Sequence, residues 1–173
     1  GYSLGGRLAQ HMAVSMNVPN LMVISSSTGI EDLTKRQLRL NQDVNTASIL
    51  KNGSIEDFIK RWYQGSPLWT NLRRHHHLHQ ALLIRRSENQ NPANLAQALI
   101  GMSVGSMPSF KASLQSSSIK IQFLIGSEDL KYLILTQNLQ FGQKLSLDGC
   151  GHALPFEAPL RIAVAILKFF RTF

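Results

Sequence analysis

A single cysteine, Cys150, occurs among 173 residues, so the chain can form no internal disulfide; this fits a reducing compartment, although one thiol decides little. No apolar run reaches the ~18 residues of a membrane-crossing helix, and the first residues lack the basic-then-apolar build of a secretory leader. Acidic residues are few, 10 against 18 basic ones, for a formal net charge of +8. That excess suits nucleic acid, an acidic surface or an anionic small molecule. Nucleic acid is the poorest fit, because lysines and arginines are scattered from Arg7 to Arg171 with no basic stripe between aromatics and no zinc-finger or RNA-recognition pattern. Internal repeats and low-complexity linkers are also absent. An initial Met is missing, and the chain opens inside a motif, which implies the C-terminal part of a longer protein.

What is present begins with Gly1-Tyr2-Ser3-Leu4-Gly5-Gly6-Arg7, a match to G-x-S-x-G. In that motif a serine sits on a strained strand-to-helix turn with its hydroxyl in a cleft. A side chain at Gly1 or Gly5 is expected to collide with the tight turn. Leu4, Leu8, Ala9, Met12, Ala13 and Met16 then recur at helical spacing, with Asn17 as a stop. The run 21–25 reads as a buried parallel strand ending in a Ser26-Ser27-Thr28-Gly29 loop.

From Ile30 to about Leu114 the strand-helix rhythm lapses. Segments 31–51, 54–64, 67–74, 76–86 and 91–103 read as helices broken at Gly53, Pro67 and Pro92, a helical insertion. Strand 119–125, helix 129–139, strand 143–147 and an apolar helix from Glu157 to Phe170 restore the pattern. The fold class is therefore α/β, with a core of 1–29 and 115–173 and a lid at 30–114, forming part of a mostly parallel open sheet.

Ser3, Asp129 and His152 each fall just past a predicted strand, the edge at which such sheets place their sites. Their order, Ser then Asp then His, is that of α/β-hydrolases. A serine hydroxyl needs an imidazole to take its proton and a carboxylate to fix the imidazole tautomer. His152 and Asp129 are the candidates, with Glu128 a rival to Asp129, which could instead cap the helix it begins. The backbone N–H of Leu4 is placed to donate to an oxyanion. His75 and His79 share a helical face and could ligate a metal, but no carboxylate or cysteine completes a site, so the His75-His76-His77-Leu78-His79 run reads as a solvated lid segment with no metal.

With these residues assembled, the chain resembles the 2-succinyl-6-hydroxy-2,4-cyclohexadiene-1-carboxylate synthase family of menaquinone and phylloquinone biosynthesis. The resemblance runs essentially end to end. It rests on residues 1–7, R-x-x-x-D at 39–43, R-W-Y at 61–63, R-R-S at 85–87, G-S-x-P-S at 105–109, G-S-E-D-L-K-Y at 126–132 and G-H-A-L-P-F-E-A-P-L-R at 151–161. It implies an α/β-hydrolase fold, here its C-terminal portion from the nucleophile elbow, and a lyase that eliminates pyruvate from 2-succinyl-5-enolpyruvyl-6-hydroxy-3-cyclohexene-1-carboxylate without a cofactor. Ser3 would be the base, primed by His152 and Asp129. Arg7, Arg39 and Arg86 would match the substrate-carboxylate arginines, with Arg85 a rival to Arg86, and Tyr2, Trp62 and Tyr63 would line the pocket.

A substrate with several carboxylates suits forked guanidinium partners. The resemblance further implies bacterial cytoplasm or plastid stroma, and it leaves open fusion to, or association with, other quinone-pathway enzymes. The chain departs from the family in Pro155, in the preceding strands and in the second oxyanion donor, so this piece is expected to be inactive alone. Competing readings are a general serine hydrolase (an esterase or C–C hydrolase) and a non-catalytic remnant.

Overall fold

A computed structural model describes residues 1–88 and 90–171; residue 89 of the expected lid and residues 172 and 173 of the expected core lie outside them. In chain order the elements are α1 (Leu4–Met16), β1 (Asn20–Ile24), α2 (Leu33–Asn52), α3 (Ile55–Gly65), a 3-10 turn (Pro67–Trp69), α4 (Thr70–Arg74), α5 (His76–Ser87), α6 (Pro92–Gly101), α7 (Lys111–Gln115), β2 (Lys120–Gly126), α8 (Leu130–Gln137), β3 (Gln143–Leu147), α9 (Leu154–Glu157) and α10 (Pro159–Phe170). Two compact units contain them.

The first unit spans Gly1–Thr28, Leu68–Leu72 and Phe110–Phe173 and holds the sheet. Its strands run parallel in the order β1-β2-β3, with Ile24 opposite Leu124 and Leu124 opposite Leu145. Leu21, Met22, Val23 and Ile24 of β1 and Phe123, Leu124 and Ile125 of β2 are all buried, as near-continuous apolar runs in a parallel sheet should be. Along the other edge of β1 lies the Gly1–Ser3 segment. Ile24 donates to Gly1 O and Ser3 donates to Ile24 O, both at 2.9 Å, so that Tyr2 bridges Ile24. Met22, Ile24, Leu124 and Leu147 pack with Leu154, Ile162, Ala165 and Phe169 into one core cluster.

The second unit, Gly29–Pro67 and Arg73–Ser109, is helical. Its α2 packs on α6 through Ala47, Leu50 and Ala96. Helix starts follow local chemistry. The Asp32 carboxylate accepts from the Lys35 N–H, the Ser54 hydroxyl from the Asp57 N–H, and Asn91 from Ala93 and Asn94 just before Pro92. The expected insertion at 30–114 thus contains two stretches, 68–72 and 110–114, that cluster with the sheet.

Other differences from the sequence reading have local causes. The helix expected from Glu157 begins at Pro159, because Ala158 precedes that proline and takes φ −144°, ψ 55°, outside the α region that a proline disfavours in the residue before it, and the short α9 ends just ahead of it. Segment 67–74 divides into the 3-10 turn and α4. The five-residue α7 has no expected counterpart; its Leu114 is buried, but one turn is too short for a periodic signal.

His79 also departs from expectation. His75, His76 and His77 are exposed, whereas His79 is 6% exposed with its Nε2 buried and without a protein partner. Burial, reinforced by Arg73, holds the imidazole below its ordinary value, with a backbone contact from Tyr63 acting the other way and His76 adding a small push down. His79 is therefore neutral in both folded and unfolded chains above about pH 6.5. As pH falls below that, the unfolded chain takes up the proton first, and stability drains away until the folded-state value is reached. Denaturant melts between pH 7.5 and 5 should show wild type losing more stability on acidification than His79→Gln; parallel pH profiles would refute the buried neutral imidazole.

Candidate active site

Tyr2, Ile24, Leu124 and Leu145 form one row across the sheet. Ser3, Asp129 and His152 follow that row at the carboxyl ends of their segments, the usual place for a site in an open α/β sheet. Ser3 sits at φ 50°, ψ −117°, a conformation that costs on the order of 1–3 kcal/mol for a residue with a side chain. Its carbonyl compensates by accepting from the Gly6 N–H at 3.0 Å, the Arg7 N–H at 3.2 Å and the Ser26 hydroxyl at 2.7 Å. The side chain does not cap α1. Its Oγ lies 3.1 Å from His152 Nε2 instead.

The glycines of the elbow do not divide as the sequence suggests. A Cβ on Gly1 would overlap Gly5 O, and one on Gly6 would come 2.6 Å from Ser26 Cβ, but a Cβ on Gly5 meets nothing within 4 Å. Gly6, not Gly5, admits the neighbouring loop.

The loops after β2 and β3 are joined along their backbones. The Ser127 N–H donates to Leu147 O, the Glu128 N–H to Cys150 O, and the Gly149 N–H to the Ser127 hydroxyl. Gly126 makes this approach possible, since a Cβ there would overlap the carbonyl oxygens of Cys150 and Gly151. The joined loops set His152 Nδ1 2.8 Å from Asp129 Oδ2, with His152 1% and Asp129 5% exposed. Asp129 does begin α8, yet its carboxylate makes no cap and goes to the imidazole, while Glu128 is exposed.

Three rings surround His152: Tyr132 at 4.8 Å between centroids, Trp69 edge-on at 5.4 Å and Tyr2 at 5.5 Å. Sequence reasoning placed Tyr2 at the site and missed the other two. Tyr132 was visible as the end of the 126–132 motif; Trp69 gave no local signal. Leu4 opens α1, so its N–H has no carbonyl partner inside the helix and remains a donor beside Ser3. Arg7, half-buried, lies one turn further along. Cys150 is buried, and its thiol is pushed up by that burial against the pull of Arg161, so it is a poor source of thiolate.

Arg39, Trp62, Tyr63 and Arg86 all belong to the second unit. Arg39 Nε donates to both Asp43 oxygens, at 3.0 and 2.9 Å, and buried Asp43 also accepts from the Ser103 hydroxyl at 2.6 Å. The guanidinium is thereby held by its inner nitrogen. Burial pushes the Tyr63 phenol up, while Arg86, its hydrogen-bond partner, pulls it down. Arg85 and Arg86 are both exposed, and Tyr63 pairs with Arg86. Trp62 stacks on Phe58 with centroids 5.8 Å apart. Among the described residues, no three His, Cys, Asp or Glu side chains are grouped to hold a metal, and no helix is long and apolar enough to cross a membrane.

A serine hydroxyl on a buried imidazole, itself oriented by a buried carboxylate and next to a helix N-terminus, can move a proton and stabilise an adjacent oxyanion. No family model matches the chain. It is 30% identical over 98% of its length to protein PHYLLO, chloroplastic, of Arabidopsis thaliana, of which it covers 11%. It is 28% identical to the 2-succinyl-6-hydroxy-2,4-cyclohexadiene-1-carboxylate synthase of Serratia proteamaculans and 30% identical to that of Yersinia pseudotuberculosis, covering 66% and 61% of them. The chain therefore spans less than two thirds of these relatives. Among solved structures, MenH from S. aureus superposes with a TM-score of 0.91 at 26% identity over 99% of the chain and 66% of its own. A thermophilic esterase from Thermogutta terrifontis, at 19% identity, superposes with a TM-score of 0.74 and shows the fold alone. The family resemblance read from the motifs is borne out, and the fold is part of an α/β-hydrolase.

The elbow geometry carries a test. Gly5→Ala, at an exposed helical position with open space, should be neutral or stabilise by up to about 1 kcal/mol. Gly6→Ala should destabilise by about 1–3 kcal/mol because Ser26 must move. Urea denaturation of the two variants decides it, and equal midpoints would remove the assigned contact.

Proposed function

Starting from kinship with the 2-succinyl-6-hydroxy-2,4-cyclohexadiene-1-carboxylate synthases, we propose that the protein carrying this chain is a carbon–oxygen lyase of menaquinone or phylloquinone biosynthesis. It eliminates pyruvate from 2-succinyl-5-enolpyruvyl-6-hydroxy-3-cyclohexene-1-carboxylate. The observation that carries this reading is the hydrogen-bonded series Asp129–His152–Ser3 in a chain similar to such synthases over 98% of its length.

The structures of substrate and product define the step. The C2–H bond, next to the succinyl ketone, breaks, and its electrons form C2=C3. The C3=C4 pair moves to C4=C5, and the C5–O bond breaks to release the enolate of pyruvate, which then takes up a proton. Ser3 Oγ, having passed its own proton to His152 Nε2, is the base at C2. Asp129 keeps the Nδ1–H tautomer and stabilises the imidazolium. The Leu4 N–H meets the negative charge that develops on the ketone oxygen. Arg7, Arg39 and Arg86 hold the substrate carboxylates, with Tyr2, Trp62 and Tyr63 along the ring. None of these steps uses a cofactor. Homologues named from bacteria and from a chloroplast suit a cytoplasmic or plastid setting.

Losing one charge-assisted carboxylate contact costs about 1.5–3 kcal/mol. Arg7→Ala should therefore lower kcat/KM for the succinyl-cyclohexene substrate by on the order of 10- to 100-fold, and Arg7→Lys should recover little. Slow turnover of p-nitrophenyl acetate, which has no carboxylate, should be almost unchanged, whereas Ser3→Ala, His152→Ala and Asp129→Asn should abolish most of both activities without additive effects. The measurements belong in the protein at the length its host makes. Equal losses on the two substrates in Arg7→Ala would favour a general esterase over the lyase.

A further inference from the structure

Catalysis by His152 requires a loop, not a helix or strand, to hold an imidazole to within a fraction of an ångström. Residues 148–151 precede it, and their backbone groups are engaged in a specific way. Gly149 N–H and Cys150 O are tied to the Ser127-Glu128 loop, and Arg161 donates to Asp148 O at 2.8 Å. The remaining ties come from two side chains that the reaction does not use. The Glu157 carboxylate, on α9, accepts the Gly151 N–H through Oε2. The same oxygen accepts from Asn71 Nδ2 at 2.6 Å, and that amide also reaches Gly149 O at 3.2 Å. Asn71 is 6% exposed and stands 86 residues from Glu157 in the chain. Its Cβ is so near Gly151 that any side chain at 151 would start 2.5 Å from it.

We infer that Asn71 and Glu157 are positioning residues, a clamp that fixes loop 149–151 and through it the reach of His152 Nε2 to Ser3 Oγ. The clamp spans both sides of the catalytic histidine. Glu157 holds the residue immediately before it, and Asn71 is two residues beyond Trp69, whose ring packs T-shaped against the imidazole. Without the Asn71 amide, Glu157 Oε2 and Gly149 O each lose a donor. A loop freed in this way repositions the base without altering any group that touches substrate. The inference rests on the proposed role of His152 as proton acceptor, but the geometry of the clamp does not.

The test uses three variants in the protein as its host makes it, each shown by circular dichroism to be folded. Asn71→Ala should lower kcat about 10- to 100-fold with KM changed less than about twofold, since the carboxylate-binding arginines are untouched. Asn71→Asp should be worse near neutral pH, because two carboxylates then face each other. Adding Glu157→Gln should restore part of the loss, because it removes one of the two facing charges while the amide oxygen still accepts the Gly151 N–H. The downfield proton signal of His152 Nδ1–H should shift or broaden in both single variants and return in the double. An unmoved signal with full kcat in Asn71→Ala, or a double variant no better than Asn71→Asp, overturns the clamp. A clamp-dependent signal in a protein whose Ser3→Ala variant turns over normally would leave the clamp standing and remove the lyase mechanism instead.

Discussion

The site depends on two loops lying backbone to backbone. Gly126 has no side chain, so the carbonyls of Cys150 and Gly151 can rest against it, and the N–H groups of Ser127 and Glu128 find partners in the opposite loop. A buried carboxylate and a buried imidazole each cost desolvation energy when alone. Placed 2.8 Å apart by the joined loops, they satisfy each other. The other requirement is the strained Ser3 turn, which three donors to its carbonyl hold in place. Packing of β1 and β2 thus delivers three side chains, from the beginning and end of the chain, to one carboxyl edge.

The second unit prepares charge in a comparable way. Asp43 is buried, takes the Ser103 hydroxyl and grips Arg39 by its inner nitrogen. An arginine fixed by Nε has less rotamer freedom to lose when its outer nitrogens meet an anion. Tyr63 does something similar for Arg86, with the phenol accepting from the guanidinium. The net charge of +8 is in this sense not diffuse: part of it is held in defined orientations by neutral or anionic neighbours.

Much of this was legible in the sequence because it is local. The parallel strands came from apolar runs and emerged within one residue of the expected bounds, with β3 at 143–147 as expected. Helix breaks at Gly53, Pro67 and Pro92 followed from backbone chemistry. The order of Ser3, Asp129 and His152 suggested their meeting, since each lies just past a strand. What stayed hidden depends on residues far apart in the chain. Gly6 rather than Gly5 is the close-packed glycine because Ser26 approaches it from a different loop. His79 looked like one of a solvated run, yet it alone turns inward among Tyr63 and Arg73. Asn71 and Trp69 sit in a stretch read as part of the lid, and nothing nearby in sequence marks their contacts with the histidine loop.

Elimination and hydrolysis at this geometry differ in product stoichiometry. The full-length protein would be incubated with 2-succinyl-5-enolpyruvyl-6-hydroxy-3-cyclohexene-1-carboxylate, with pyruvate measured by a coupled assay and the conjugated ring diene by its ultraviolet absorbance. With elimination, the two appear together in equal amounts and both stop in Ser3→Ala. Pyruvate released without the diene, or both products formed at the uncatalysed rate while simple esters are cleaved, would contradict it.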